Sequence, residues 1–341
     1  LNPLPSREGK FPLPSRERVR VRGTQEENMA FTIPKENYNG KVYEVELGVG
    51  DRAIKIGGES TLPFLSFEGE MPNRPSIAIE IQDLPPNDWP DTVKKVYEKV
   101  SSNPVAWAKF CQDELKADAV ALRLISTHPD QKDTKPEDAA KLVSEVLNVI
   151  SIPVIILGSE HIEKDIAVLK TVAETAKGKN CIIGKAQEEN HKTIAAVAMA
   201  NEHKLIAMSQ LDVNLAKQLN ILLTQMGFVK ERILTDPMSS ALGYGLEYTY
   251  SVMERIRLAA LQQNDGAMQP PLVCDIGKNV WKTKETIAAE AELPEWGSLE
   301  ERGIIWEAMT AAGMIMAGAN LLVMRHPKAI ELTKKLIEEL R

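Results

Sequence analysis

The sequence predicts an α/β chain: a closed (β/α)8 TIM barrel with an N-terminal β-hairpin extension. Three observations carry that prediction. Eight short apolar runs recur from Ser76 onward, amphipathic stretches of helical period separate them, and 341 residues suit one barrel of about 250 residues plus an extension. Short, nearly continuous apolar strands alternating with helices require a parallel sheet covered by helices, because each crossover must return the chain to the same end. An open doubly wound sheet is the structural alternative, but its G-x-G-x-x-G signature after the first strand is missing.

Residues 1–28 contain PLPSRE twice, at Pro3–Glu8 and Pro12–Glu17, then Arg-Val-Arg-Val-Arg, and they show no apolar periodic face. Such a segment cannot pack a core, and it reads as an upstream extension with Met29 as the natural start. Within residues 29–70, Tyr38–Leu47 and Arg52–Ile56 alternate in polarity and are punctuated by Asn-Gly and Gly-Val-Gly-Asp, which predicts a hairpin. Residues 71–341 are the expected barrel. Its strands are Ser76–Ile81, Ala119–Ile125, Ile152–Leu157, Cys181–Gly184, Leu205–Met208, Arg232–Thr235, Leu272–Asp275 and Leu321–Met324. Helical period marks Pro136–Val149, His161–Ala176, His191–Asn201, Asn214–Met226, Tyr248–Gln262 and Leu299–Ala317. The stretch Gly303–Met324 is long enough to span a bilayer, yet Glu307 and Asn320 would be costly there. It is expected to form helix, turn and strand.

Composition narrows the function. With 43% hydrophobic and 26% charged residues, the chain has the make-up of an ordinary soluble globular protein. A formal charge of −7 and a pI near 5.5 argue against a nucleic-acid grip, which needs a basic patch. Cys111, Cys181 and Cys274 are odd in number and lack C-x-x-C spacing, so they read as buried small hydrophobes in a reducing cytoplasm.

In a barrel of this kind the working face lies at the C-terminal ends of the strands. The expected loops there are Gln82-Asp83, Ser126–Asp130, Gly158–Glu160, Lys185–Asn190, Ser209–Asp212, Asp236-Pro237 with its glycine-bearing continuation, Gly277–Asn279 and Arg325–Pro327. His128 and His326 stand at strand ends, but neither has the spacing of a metal site; a ligand contact and a loop-fixing hydrogen bond are both open. His161, His191 and His203 fall on helical segments and read as surface residues. No predicted strand ends in the lysine a Schiff-base aldolase needs; Lys185 and Lys278 are the nearest and fall in loops. Asp236 and Asp275 could orient a heterocycle, whereas Asp212 and Asn214 read as helix caps. Gly243-Tyr244-Gly245 allows either close approach of a flat ligand or a sharp turn into the next helix. No Ser-His-Asp arrangement is identifiable from spacing.

Several longer runs go further. LRL with STHPD (Leu122–Asp130), DVNLAKQLN (Asp212–Asn220), ALGYGLEYTYSVMERIR (Ala241–Arg257), EWG with LEERG (Glu295–Gly303) and VMRHP (Val323–Pro327) resemble the small subunit of the corrinoid iron–sulfur protein, also called the delta subunit of acetyl-CoA decarbonylase/synthase. The resemblance covers Phe31 to the C-terminus. It implies a TIM barrel joined to a large corrinoid iron–sulfur subunit as a heterodimer, the two enclosing a cobalamin-type corrinoid in the anaerobic reductive acetyl-CoA pathway. A methyltransferase would load that carrier with methyl from methyltetrahydrofolate, and acetyl-CoA synthase would receive it.

This chain has neither a cysteine cluster nor a D-x-H-x-x-G run, so the 4Fe-4S cluster and most corrinoid contacts are expected on the partner. The resemblance and the strand ends together assign hydrogen bonds to the corrin edge to Ser126, Thr127, His128, Gln187, Asp236, Gly243, Tyr244, Arg325 and His326, with no catalytic residue and no metal ligand. The family pattern places threonine after Asp-Pro, where this chain has Met238. A stand-alone pterin-dependent methyltransferase and a purely structural barrel are the competing readings.

Overall fold

The computed structural model describes residues 33–340. One compact unit runs Glu36–Arg341 and holds both hairpin and barrel; the expected extension, residues 1–28, lies outside the described residues.

The hairpin pairs β1 (Val45–Leu47) antiparallel with β2 (Ile54–Ile56). It is shorter than the alternation implied, because only these three-residue segments form a ladder. The barrel follows as β3 (Ser76–Gln82), β4 (Ala119–Arg123), β5 (Val154–Leu157), β6 (Ile182–Ala186), β7 (Lys204–Met208), β8 (Ile233–Asp236), β9 (Leu272–Asp275) and β10 (Ala319–Met324). All eight are parallel, and β10 closes the barrel by pairing with both β9 and β3. Every strand expected from the sequence is present.

The covering helices are α1 (Asp91–Tyr97), α2 (Pro104–Asp113), α3 (Pro136–Val149), α4 (Ile162–Thr175), α5 (His191–Ala200), α6 (Val213–Gln225), α7 (Leu246–Leu261), the short α8 (Gly277–Val280) and α9 (Lys284–Ile287), α10 (Leu299–Met316) and α11 (Pro327–Glu339). Their starts follow local chemistry. Asn103 Oδ1 caps α2 just before Pro104, and Asp212 Oδ1 accepts from the amides of Asn214 at 2.7 Å and Leu215 at 3.0 Å to cap α6. Asn214 itself lies inside α6, so only Asp212 of the expected pair is a cap.

Strand alternation divides the core into two layers. Outward residues such as Ile77, Ile79, Ile81, Val120 and Leu122 meet the helices. Inward residues Ala78, Ala121, Ile155, Ile182, Ile206, Leu234, Val273 and Val323 fill the barrel, and the hairpin's Val45, Leu47 and Ile56 join the same cluster. Gly48 donates to the carbonyl of Asn180, just before β6, so the hairpin plugs the end of the barrel at which the strands begin. The opposite end is left to polar residues.

The apolar stretch at Gly303–Met324 resolves as expected into helix α10, a turn and strand β10. Gly318 makes the break at φ +100°, and a Cβ there would lie 2.7 Å from Arg257 Nε. No described helix is long and apolar enough to cross a membrane. The surface reading of His191 and His203 is corrected. Both are buried, and His203 Nδ1 accepts from the Cys181 amide at 3.2 Å, a long-range contact that helical periodicity does not reveal.

Cys111, Cys181 and Cys274 are all buried and free, and burial pushes the Cys181 and Cys274 thiols up to about 12. Native chain at pH 8 is therefore expected to resist a maleimide or disulfide thiol reagent, and all three cysteines should label after denaturation. Rapid labelling of the native chain would contradict this packing.

Candidate functional site

The inward register of the barrel strands continues past the apolar layer and delivers charge to the mouth. Glu80 stands two residues after Ala78, Arg123 two after Ala121, Asp236 two after Leu234, Asp275 two after Val273 and Arg325 two after Val323. Lys185 joins them from β6, where the pairing with β7 slips between Ile183 and Ala186. Six side chains, five from strands and Arg325 from the residue directly after β10, thus meet at the mouth.

They form a chain of alternating charge. Arg325 grips Glu80 through Nε at 2.9 Å and Nη2 at 3.0 Å. Arg123 Nε reaches Glu80 Oε1 at 3.0 Å, and its Nη2 reaches Asp275 at 2.8 and 3.1 Å. Lys185 Nζ then lies 2.9 Å from Asp275 Oδ2 and 2.8 Å from Asp236 Oδ2. Arg325 also stacks over the Trp89 ring at 4.3 Å.

Burial alone would raise the Glu80 carboxyl, but Arg123 and Arg325 outweigh it and hold it down to about 2. Asp275 is likewise held well below the ordinary carboxylate range, against burial, by Arg123 and Lys185. Burial would depress Lys185, yet Asp236 and Asp275 raise it above the usual lysine value.

This corrects the placement of Lys185 in a loop: it lies within β6 and points into the mouth. Its environment nevertheless opposes Schiff-base chemistry. An amine locked as ammonium between two carboxylates is no nucleophile.

A cleft of about 300 Å³ opens above this floor, with Arg123, Lys185, Gln187, Met238, Asp275 and Asn279 in its lining. Four non-glycine residues of the surrounding loops take left-handed backbone conformations: Glu160 (φ +75°), Gln210 (+48°), Leu211 (+62°) and Met238 (+68°). Each such residue costs about 1–3 kcal/mol and persists only where its surroundings demand it. Met238 N–H donates to Asp236 Oδ1 at 2.8 Å, so the bent Asp236–Met238 turn is tied to the floor.

The nine residues singled out from the sequence divide into two sets. Gln187 lines the cleft and accepts from Gln210 Nε2 at 3.0 Å, while His128, Gly243 and Tyr244 are half-buried or exposed on the mouth loops. Ser126 is buried and donates from Oγ to Asp83, which also accepts from its amide at 2.9 Å. Thr127, Asp236, Arg325 and His326 are buried, and each is held by bonds within the chain. Thr127 Oγ1 donates to Leu124 O at 2.7 Å, and His326 Nδ1 accepts from Lys328 N–H at 3.2 Å, capping α11.

Gly243 (φ +75°) and Gly245 (φ +101°) form the sharp turn, and Gly245 directly precedes α7. Sequence reasoning missed Glu80 and Arg123. The signal was present as single charges inside SIAIEIQ and AVALR, on the parity of the small inward alanines.

Residues 44–336 match the family described as CO dehydrogenase/acetyl-CoA synthase delta subunit. The chain belongs to that family. It is 37% identical over 298 residues to the acetyl-CoA decarbonylase/synthase complex subunit delta of Methanosarcina mazei, covering 86% of this chain and 67% of that protein. With the Archaeoglobus fulgidus subunit delta the identity is 36% over 322 residues, 91% of this chain and 71% of the relative.

Among solved structures, the 7,8-dihydropteroate synthase of Vibrio fischeri superposes with a TM-score of 0.52 at 11% identity, covering 82% of this chain and 97% of that one. That likeness concerns the barrel fold alone. The Methanosarcina and Archaeoglobus relatives are both named as subunits of an acetyl-CoA decarbonylase/synthase complex. Among the described residues no group of three or more His, Cys, Asp or Glu side chains is placed to hold a metal ion.

Proposed function

We propose that this chain is the small subunit of a heterodimeric corrinoid iron–sulfur methyl carrier of the acetyl-CoA pathway, and that its barrel mouth forms one wall of a cobalamin-type cofactor cavity. The reading rests on delta-subunit family membership and on one structural observation. The titratable groups at the centre of the mouth neutralise one another, so the face offers hydrogen bonds without a free base or nucleophile.

The rim suits a flat, amide-edged ring. Gln187 supplies a side-chain amide, and Tyr244 Oη accepts from the Lys284 amide at 3.1 Å while its own proton remains available. Gly243 is exposed and carries no side chain to hold a flat ligand away. When bound, a corrinoid supplies a cobalt centre that accepts and releases a methyl group. This chain's part is to hold the ring edge and exclude water. His128, Gln187, Gly243 and Tyr244 would meet the edge, while buried Ser126, Thr127, Asp236, Arg325 and His326 fix the loops that carry them. The large subunit would bring the 4Fe-4S cluster, and the methyltetrahydrofolate methyltransferase and acetyl-CoA synthase would be the donor and acceptor partners.

Anaerobic purification of the full chain from its native complex is expected to yield a near-equimolar partner and a corrinoid absorption spectrum. Tyr244→Ala with Gln187→Ala should lower corrinoid retention about tenfold by removing two hydrogen-bonding side chains. Unaltered retention would favour a purely structural barrel. Methyl transfer from methyltetrahydrofolate to free cobalamin by the isolated chain would instead show a pterin-dependent methyltransferase.

A further inference from the structure

We infer that the cleft behind the rim is a binding pocket for a small molecule carrying a carboxylate or phosphate, with Glu160 occupying the place of that anion when the pocket is empty. The pocket shares Gln187 with the proposed corrin-edge contacts, whereas His128, Gly243 and Tyr244 stand outside its lining. Arg123 is the first observation. Its side chain is 3% exposed, and Nε and Nη2 are saturated by Glu80 and Asp275. Its Nη1 has no hydrogen bond among the described residues, and Glu160 Oε1 faces it across 3.7 Å. A buried guanidinium with one unspent donor lining a cleft is built to receive an oxygen.

Glu160 is the second observation. It belongs to the loop after β5, half exposed at the rim, and its carboxylate pairs with Lys278 from α8 across the mouth. Its backbone is left-handed at φ +75°, a conformation that favours glycine. Among the described residues this side chain hydrogen-bonds to Lys278 alone, so swinging outward breaks one rim contact and leaves Arg123 Nη1 and Lys278 Nζ facing the cleft together. Lys185 adds to the floor, because its ammonium has three N–H groups and meets two carboxylate oxygens.

Asp165 also lines the cleft, but its oxygens are turned to the Ser159 and Glu160 amides and to Ser159 Oγ. Gln187 and Asn279 on the walls can bond a polar body. The cleft of about 300 Å³ admits a compact metabolite and excludes a macrocycle.

Binding is read by isothermal titration of the full chain at low ionic strength, with succinate and inorganic phosphate as separate probes. Glu160→Gln removes the competing internal anion and is expected to tighten binding about tenfold, because an occluded site loses affinity in proportion to its closed fraction. Lys278→Gln should weaken binding about tenfold, whereas Lys278→Arg should retain it. The tighter of the two probes assigns the group as carboxylate or phosphate. Both positions are at the rim, and an unchanged melting temperature verifies the fold of each variant. The inference is overturned if neither probe binds Glu160→Gln at millimolar concentration, or if both probes bind all the variants equally.

Discussion

Glu80→Ala is expected to destabilise the chain by about 3–5 kcal/mol, the range for removing one member of a buried ion-pair network. Glu80 is fully buried and receives three of the bonds that Arg123 and Arg325 make, so alanine leaves the buried Arg325 guanidinium without its anion and Arg123 with Asp275 and the distant Glu160. The readout is the urea midpoint against wild type. A change below about 1 kcal/mol would mean that water or Asp275 compensates the arginines. The same pair sets an acid limit. Glu80 is held down to about 2 in the fold against about 4.3 unfolded, so its contribution is complete above pH 4.3 and disappears as pH falls toward 2.

The second large effect concerns Glu307 and His326, whose influences on pH dependence oppose each other. Glu307 is buried in α10 and accepts from the amides of Arg325 at 2.7 Å and His326 at 2.9 Å, fastening the end of β10. Burial pushes its carboxyl up to about 7, with the two amides opposing a further rise. The fold therefore keeps a proton that the unfolded chain releases above about 4.3, and this group's contribution falls as pH rises from 4.3 to 7. Burial pushes His326 down to about 4. Between pH 6.5 and 4 the unfolded chain takes up a proton that the fold refuses, so this contribution falls as pH drops.

Each window is worth on the order of 3 kcal/mol, and the two largely cancel between pH 4.5 and 6.5. His326→Asn, which retains a side-chain cap for α11, should leave a chain whose stability declines with rising pH across that range. Glu307→Gln should leave one whose stability increases with pH. Melting temperature measured against pH in the three proteins tests the opposition, and parallel curves would refute it.

The barrel was legible because its rule is local and repeated. Val154–Leu157 and Leu272–Asp275 can be seen as strands from their apolar runs, and Pro136–Val149 shows both its Pro start and its helical stripe. The mouth was less legible because charge pairing is non-local. Arg123 and Asp275 are 152 residues apart, and nothing in AVALR alone says that its arginine will find a carboxylate on β9. Lys185 escaped for a different reason. A slip in the β6–β7 pairing places it in the mouth, whereas strand parity read from CIIG stops one residue short. His203 shows the same limit on the helix side, since its partners Cys181 and Ala173 are distant in sequence.

By itself the sequence determined the eight-unit alternation, the end of the barrel that bears the polar loops, and the long runs that tie the chain to its family. Tertiary structure alone decided which polar residues remain open. Periodicity specifies the face to which a side chain points, but closure of the sheet decides which opposite charge meets it. That closure locks Glu80, Arg123, Lys185, Asp236, Asp275 and Arg325 into mutual neutralisation. It leaves Gln187, Tyr244 and the Glu160–Lys278 pair at the surface of the mouth.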